Sequence, residues 1–272
     1  MDARGRIAVT GATGRVGRHV VDVLDETGHD VVAISRSLGV DVITREGLAE
    51  ALAGVETIID AATQPSPEEE AATAFFTTAA RNLQELGAKA GVQRIVVASI
   101  IGIDRFTAGF LAAKRAHEQA MLADPIPVRI LRAAQFHEFV PELVDWGTQD
   151  GVSYLPNFRT QLVAARTVAE AVAELATVPD PAPAGAGTAP IREIAGPREE
   201  SLVEMARLLA VRRGAPIRIE GVTNPADPDH DLYEQGALLP GPHAILAGPT
   251  FEEWLESEDA SRVVPSLGVR SS

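Results

Sequence analysis

Short runs of β-branched and small apolar residues recur along the chain, separated by longer segments in which apolar positions return every three or four residues. Buried strands alternating with amphipathic helices predict a parallel sheet covered on both faces. Ile7–Thr10 is the first strand, followed by a helical segment Val16–Leu24 closed by Gly28. Val31–Ile34 is the second, and Leu38–Val42 leaves room for only a very short third. Arg45–Ala53 reads as helix and Glu56–Asp60 as a strand running into the small-residue loop Ala61-Ala62-Thr63. Ser66, Pro67 and Glu69 supply an N-cap, a first-turn proline and a glutamate three after the cap, so a helix begins there and reaches about Ala90. Arg94–Ser99, Ala108–Leu122 and Val128–Leu131 continue as strand, helix and strand. The expected fold class is α/β, a doubly wound parallel sheet.

The second half is less regular. Phe136–Trp146 is apolar and aromatic around Pro141, and Gly147–Phe158 is an irregular crossing with a short strand at Val152–Leu155. Gln161–Ala165 predicts a returning strand, and Thr167-x-x-Glu170 a capping box opening a helix over Val168–Ala176. Pro179–Pro190 reads as a surface loop and Ile191–Ala195 as extended. Ser201-x-x-Glu204 predicts a helix to about Val211, Ile217–Val222 a strand, and Asn224–Gly248 irregular chain rich in proline, glycine and acid. Thr250-x-x-Glu253 opens a last helix containing Trp254, and the tail after Ser257 is expected to be loosely held. The expected division is a nucleotide-binding domain over 1–150, rejoined by 161–195, with a smaller substrate-binding lobe from 151–160 and 196–272.

Chemistry enters at Gly11, Gly14 and Gly17, spaced G-x-x-G-x-x-G between the first strand and the first helix. Gly11 permits the tight turn, Gly14 lets a pyrophosphate approach the backbone, and Gly17 lets the helix lie close on the strand. Thr13, Arg15 and Val16 complete this phosphate turn. Arg36 follows the second strand, where a carboxylate would select NAD and an arginine suits the extra phosphate of NADP, so NADP(H) is the expected cofactor. The net charge of −14 argues against nucleic acid as a partner, and the absence of cysteine excludes disulfides, thiolate metal sites and a cysteine nucleophile. No metal-ligand spacing and no Gly-x-Ser-x-Gly elbow occurs, so no metal is expected and a hydrolase is disfavoured. With no leader-like start and no membrane-length apolar span, the chain is expected to be cytoplasmic, away from membranes, as a monomer or homodimer acting on a small molecule.

Thr10–Gly17, Ser35-Arg36, Asp41-Val42, Leu52–Asp60, Ala98–Gly102 and Leu131–Phe136, with Gly196-Pro197, Ser201-Leu202, Gly236–Pro240 and Thr250–Leu255, resemble an NmrA-like atypical short-chain dehydrogenase/reductase. The resemblance covers nearly the whole chain. It implies an NADP-binding Rossmann domain with a small C-terminal lobe and a substrate cleft between them. Its cofactor contacts would fall on the glycine turn, Arg36, Asp41, Val42, Ala61, Ala62, Thr63, Lys114, Gln135 and Phe136. Extended short-chain reductases carry a tyrosine four residues before the lysine; here Phe110 stands there, and a phenyl ring has no proton to give.

Lys114 therefore either holds the nicotinamide ribose, acts itself as acid or base if burial lowers its pKa, or forms a surface pair with Glu118. Ser99, ending a strand, either orients a carbonyl or caps the next turn. His137 either donates a proton to the substrate or is bonded to Glu138 or backbone. Phe136, Phe139, Trp146, Tyr154 and Tyr233 are candidates for an apolar pocket. Three functions remain: an NADPH-dependent reductase of a quinone, enone or similar conjugated carbonyl; a non-catalytic NADP(H) sensor; and a non-redox isomerase or cyclase using the same pocket.

Overall fold

The computed structural model describes residues 5–64, 68–123, 125–178, 191–214 and 216–264. In chain order the elements are β1 (Arg6–Thr10), α1 (Gly17–Glu26), β2 (Asp30–Ile34), α2 (Leu48–Ala51), β3 (Thr57–Asp60), α3 (Glu69–Ala90), β4 (Arg94–Ile100), α4 (Gly109–Leu122) and β5 (Val128–Ala133). Next come α5 (Phe139–Gly147), β6 (Thr148–Gln149), β7 (Val152–Pro156), β8 (Arg159–Thr160), α6 (Ala165–Thr177), β9 (Arg192–Ala195), β10 (Glu200–Ser201) and α7 (Leu202–Arg213). The chain continues through β11 (Arg218–Val222), α8 (His230–Glu234), β12 (Ile245–Leu246), α9 (Phe251–Leu255) and α10 (Glu258–Val263). It divides into two compact units, one of residues 1–104, 108–132 and 166–192, the other of 105–107, 133–165 and 193–272. Residues 133–150, grouped with the nucleotide-binding portion on sequence, cluster in the second unit.

The first unit is a doubly wound α/β fold. Its strands lie in the order β5-β4-β3-β1-β2, and β2, β1, β3 and β4 pair in parallel. Ala8, Ile34, Ile58, Ile95, Val97 and Ile130 bury the strands against Leu48, Leu52, Ala80, Leu83 and Met121. Polar side chains tie the connections into this core. Gln84 on α3 bonds the carbonyl of Met121 at 2.7 Å and accepts from the Ile126 amide at 3.1 Å, while Asn82 bonds the carbonyl of Val42 at 2.7 Å. Each bond satisfies a buried backbone group that an apolar side chain would leave unpaired.

The second unit is smaller and its sheets are mixed. β11 pairs parallel with β7, β6 antiparallel with β7, β8 antiparallel with β10, and β12 parallel with β9. Val140, Val144, Leu202, Ala206, Leu209, Phe251 and Trp254 form its core. The capping box of Thr250 and Glu253 is present in both directions at the start of α9.

Several sequence expectations are corrected. No third strand forms at 38–42: a 3-10 turn, Arg36–Leu38, ends at Gly39 in the left-handed region, and Asp41 bonds the amide of Ile43 at 2.7 Å, which closes a turn instead. The helix expected over 45–53 shrinks to α2, because Arg45 and Gly47 both take positive φ. Gln161–Ala165 contributes only the isolated bridge Phe136–Val163. α6 starts at Ala165, ahead of the expected box, and the Glu138 carboxylate accepts from the Ala165 amide at 3.2 Å; a remote cap replaced the local one. Ser201 flanks α7 without a side-chain capping bond. Asn224–Gly248 holds α8 and β12, and the segment after Ser257 holds α10. The helix-opening residues Ser66 and Pro67 and the loop Pro179–Pro190 lie outside the described residues.

Candidate active site

In the order β5-β4-β3-β1-β2 the chain moves outward on opposite sides of β1, so β1 and β3 flank the point where the order reverses. Open α/β sheets take their ligands outside the carboxyl ends of the strands at such a point. Those ends are the paired residues Thr10 and Asp60, followed by Gly11 and Ala61.

The glycine turn is built tightly there. Gly11 has φ +63°, and a Cβ on it would stand 2.6 Å from the Ala61 carbonyl oxygen. A Cβ on Gly17 would overlap the Gly11 carbonyl oxygen, while one on Gly14 would meet only that oxygen, at 3.0 Å. The Gly14 amide bonds the Gly11 carbonyl at 2.8 Å, and the Ala12 amide bonds the Ile34 carbonyl at 3.2 Å, fastening the turn to the end of β2. α1 then begins with no capping side chain and no acid in its first turn, leaving its positive end available to an anion. Thr13 is exposed, Gly14 and Arg15 are half-buried, and Val16 and Gly17 are buried. Arg36, two residues past Ile34, is exposed and has no carboxylate partner among the described residues. These groups suit a dinucleotide: a close backbone approach and a helix start, with the Arg36 guanidinium exposed just past the end of β2.

Other expected cofactor contacts are placed less favourably. Asp41 spends one carboxylate oxygen on the Ile43 and Thr44 amides, and the Val42 side chain is core, so this pair serves the turn it stands in. Ala61 and Ala62 are half-buried beside Gly11 and Thr63 is exposed, leaving a bare backbone edge. Gln135 and Phe136 belong to the second unit, where the Gln135 side-chain oxygen accepts from Thr160 at 2.6 Å.

Lys114 is the centre of a buried polar cluster, not a surface residue. It is 6% exposed, and its Nζ donates to the Ala98 carbonyl at 3.0 Å, meets His117 Nδ1 at 3.1 Å and lies 4.7 Å from the centre of the Phe76 ring. Two of its three hydrogens thus have acceptors among the described residues. His117 Nε2 lies 2.9 Å from Asp60 Oδ2, a close polar contact set off the line of a hydrogen bond. Asp60 Oδ1 in turn accepts from Thr10 Oγ1 and, at 3.2 Å, from the Ala62 amide. Burial pulls the Lys114 ammonium down to about 8, partly opposed by the charges of Asp60 and Glu118. Burial and the Lys114 charge also lower His117, against the pull of Asp60. Burial alone would raise Asp60, but His117, Thr10 and Lys114 together hold it below its usual range.

The expected alternative of a Lys114–Glu118 surface pair is excluded. Glu118 is buried and accepts from Arg132 at 2.6 and 2.9 Å, and Arg132 also reaches Asp104 at 2.5 and 3.0 Å. Phe110 packs edge-on against Phe76, with ring centres 5.6 Å apart.

Ser99 is buried on β4 and its hydroxyl has no hydrogen-bond partner among the described residues, so it caps no turn. His137 is fully buried in the second unit, its Nε2 bonded to the Pro249 carbonyl at 3.0 Å and its ring 5.5 Å from both Phe251 and Trp254. With no exposed surface and its Nε2 on a backbone carbonyl, it is a packing residue, the expected backbone-bonded alternative and not the proton donor. Burial lowers it to about 4 from 6.5, so its neutral form contributes stability above pH 6.5 that is lost as pH falls toward 4. Replacing His137 by phenylalanine should remove about 3 kcal/mol of that acid sensitivity, read as the difference between chemical denaturation curves at the two ends of this window. An equal pH dependence in both proteins would count against it.

The expected apolar pocket also divides. Trp146 pairs with Phe139, ring centres 6.1 Å apart, whereas Tyr233 stacks on Phe158 at 4.3 Å and contacts Phe106 at 5.0 Å. Burial and the charges of Asp227 and Asp229 push the Tyr233 phenol up to about 12, which makes it a poor substitute for the missing tyrosine acid. Among the described residues there is no group of side chains suited to a metal ion and no helix long and apolar enough to cross a membrane.

The NAD(P)H-binding family matches residues 11–179. A ceramide reductase of Caulobacter vibrioides (strain NA1000 / CB15N) is 34% identical over 140 residues, which are 46% of this chain and 44% of that protein, so the chain spans less than half of this curated relative. A short-chain dehydrogenase/reductase superfamily protein from Agrobacterium tumefaciens, solved with bound NAD, shares the fold at TM-score 0.65 and 17% identity over 95% of this chain and 96% of that one. The NADPH-dependent quinone oxidoreductase QOR2 from Escherichia coli does so at TM-score 0.63 and 18% identity, over 92% and 98%. From the glycine turn onward, through the strands and helices that carry the buried lysine, the chain belongs to the NAD(P)H-binding family.

Proposed function

We propose that the protein is an NADPH-dependent reductase of the NmrA-like, atypical short-chain type, acting on a small conjugated carbonyl such as a quinone or enone. The observation that carries this reading is Lys114, a buried amine brought down to about 8 in the same unit as the phosphate turn. When bound, NADPH supplies the hydride. The glycine turn and the start of α1 hold the phosphates, and Arg36 bonds the extra one. Lys114 Nζ–H delivers a proton to the substrate oxygen, the task Phe110 cannot perform, and the unpartnered Ser99 hydroxyl orients that oxygen. Conjugated acceptors suit such a site because their reduction places less demand on a strong acid. The quinone named for the Escherichia coli neighbour is of this chemical class.

The test is the loss of NADPH absorbance with purified protein and a panel of quinones and enones, against protein-free controls. Acceptor-dependent oxidation supports the reading. Binding without oxidation for every acceptor overturns it in favour of an NADP(H) sensor, the reading that Phe110 in the tyrosine position would then favour. For the cofactor, Arg36→Glu is expected to weaken NADPH roughly ten- to hundredfold, the worth of a charged hydrogen bond, and to change NADH little. Equal losses for the two nucleotides in a titration would show that Arg36 does not read the phosphate.

A further inference from the structure

The cluster behind Lys114 has no counterpart in the tyrosine–lysine logic, and nothing about stability calls for it. A buried carboxylate, imidazole and ammonium beside Phe76 and Ala113 replace what an apolar cluster would fill at no desolvation cost. Its geometry is directional. Asp60 is held on Oδ1 by Thr10 and the Ala62 amide, which leaves Oδ2 facing His117 Nε2. With Lys114 donating to Nδ1, the imidazole is the tautomer protonated on Nε2, toward the carboxylate. Phe76 stacks on the imidazole with ring centres 4.9 Å apart and fixes its plane. The order is that of a buried acid beside a ring beside a reacting group, with the acid meeting the ring by close approach at 2.9 Å and not by an aligned hydrogen bond. Here the last member is an amine.

We infer that Asp60 and His117 are positioning residues that govern the orientation and protonation of Lys114 through the chain Asp60–His117–Lys114. The inference rests on the proposed role of Lys114 as the proton donor. The other charged group facing the amine, Glu118 on α4, is engaged by Arg132 from β5, whereas the Asp60 oxygen left over from its hydrogen bonds lies against His117, the ring that touches the amine. Because Asp60 precedes Ala61, which abuts Gly11, the same carboxylate stands one residue from the edge of the phosphate turn.

The chain has only two lysines, Lys89 and Lys114, so protein grown with carbon-13 lysine gives two side-chain signals. Lys89, exposed and paired with Glu85, serves as the reference, and Lys89→Arg assigns it. Titrated in the full chain, Lys114 is expected to have its midpoint near pH 8. Asp60→Asn should lower that midpoint by about one pH unit or more, and the alkaline limb of acceptor-dependent NADPH oxidation should move with it. In a His117→Gln background the same Asp60→Asn change should move the midpoint by less than half as much, which a purely structural role would not produce. An unmoved midpoint in folded Asp60→Asn, or an equal shift with and without His117, overturns the inference. Should Asp60→Asn fail to fold, nitrogen-15 histidine spectra of the unsubstituted protein decide. The His117 Nδ1 signal, assigned with His117→Gln, must move as Lys114 loses its proton, and a fixed signal overturns the inference. Absence of NADPH oxidation with an intact Asp60–Lys114 coupling would instead defeat the proposed reductase reading alone.

Discussion

Lys114→Met is expected to lower acceptor-dependent NADPH oxidation by about 10²- to 10⁴-fold, the usual contribution of a positioned acid, while the protein stays folded and still binds nucleotide. Methionine nearly matches the volume of the lysine stem and can pack beneath Phe76, but it supplies no proton. The pH dependence gives an independent check. As an acid, Lys114 works while protonated, so turnover should fall as pH rises through about 8. Stability runs the other way: the unfolded chain holds this proton up to 10.5, the folded one only to about 8, so between these values raising the pH favours the folded state. A rate that falls above pH 8 while the denaturation midpoint holds or rises therefore points to the amine and not to unfolding. Unchanged kcat in Lys114→Met would remove Lys114 from the chemistry.

What the sequence disclosed follows the range of the interactions involved. β1, the phosphate turn and α1 were legible because each glycine answers a local backbone demand, seen in the φ of Gly11 and the overlap a Cβ on Gly17 would meet. The helix carrying Lys114 was legible from its period. The cluster around Lys114 was only partly so. His117 lies three residues beyond Lys114 and shares its face, a neighbour passed over when Lys114 is read only against Phe110 and Glu118, each four residues away. Asp60 carried one signal, a carboxylate directly after the apolar pair Ile58-Ile59 in the strand Thr57–Asp60, all of it buried.

The ion pairing was not readable, since Glu118 finds Arg132 fourteen residues away and Asp60 finds His117 across two elements. His137 shows the same limit: the sequence leaves proton donation and a backbone bond both open, and Pro249, Phe251 and Trp254, more than a hundred residues further along, enclose it and decide for the second. Turn closures failed for a related reason. Asp41 and Glu138 bond amides, one locally and one at long range, in places where periodicity alone predicts strand or a local cap.

Gly14→Val is expected to leave the fold intact and weaken both NADPH and NADH by at least about a hundredfold, a loss near 3 kcal/mol. The structure separates this glycine from its neighbours. Gly11 has a positive φ and a Cβ position blocked by Ala61 backbone, and Gly17 is blocked by the Gly11 carbonyl, so side chains at either site force the turn itself to move. At Gly14 the added Cβ meets a single oxygen, at a distance small adjustments relieve, and beyond it the valine methyls fill the side of the turn where a pyrophosphate must come close. Thermal denaturation should therefore rank the variants, with Gly17→Val much less stable than Gly14→Val, whereas nucleotide titration should find both empty. A Gly14→Val protein that binds NADPH normally would show that the phosphates do not lie against this turn, and with that the assignments of Arg36 and of the start of α1 would fall as well.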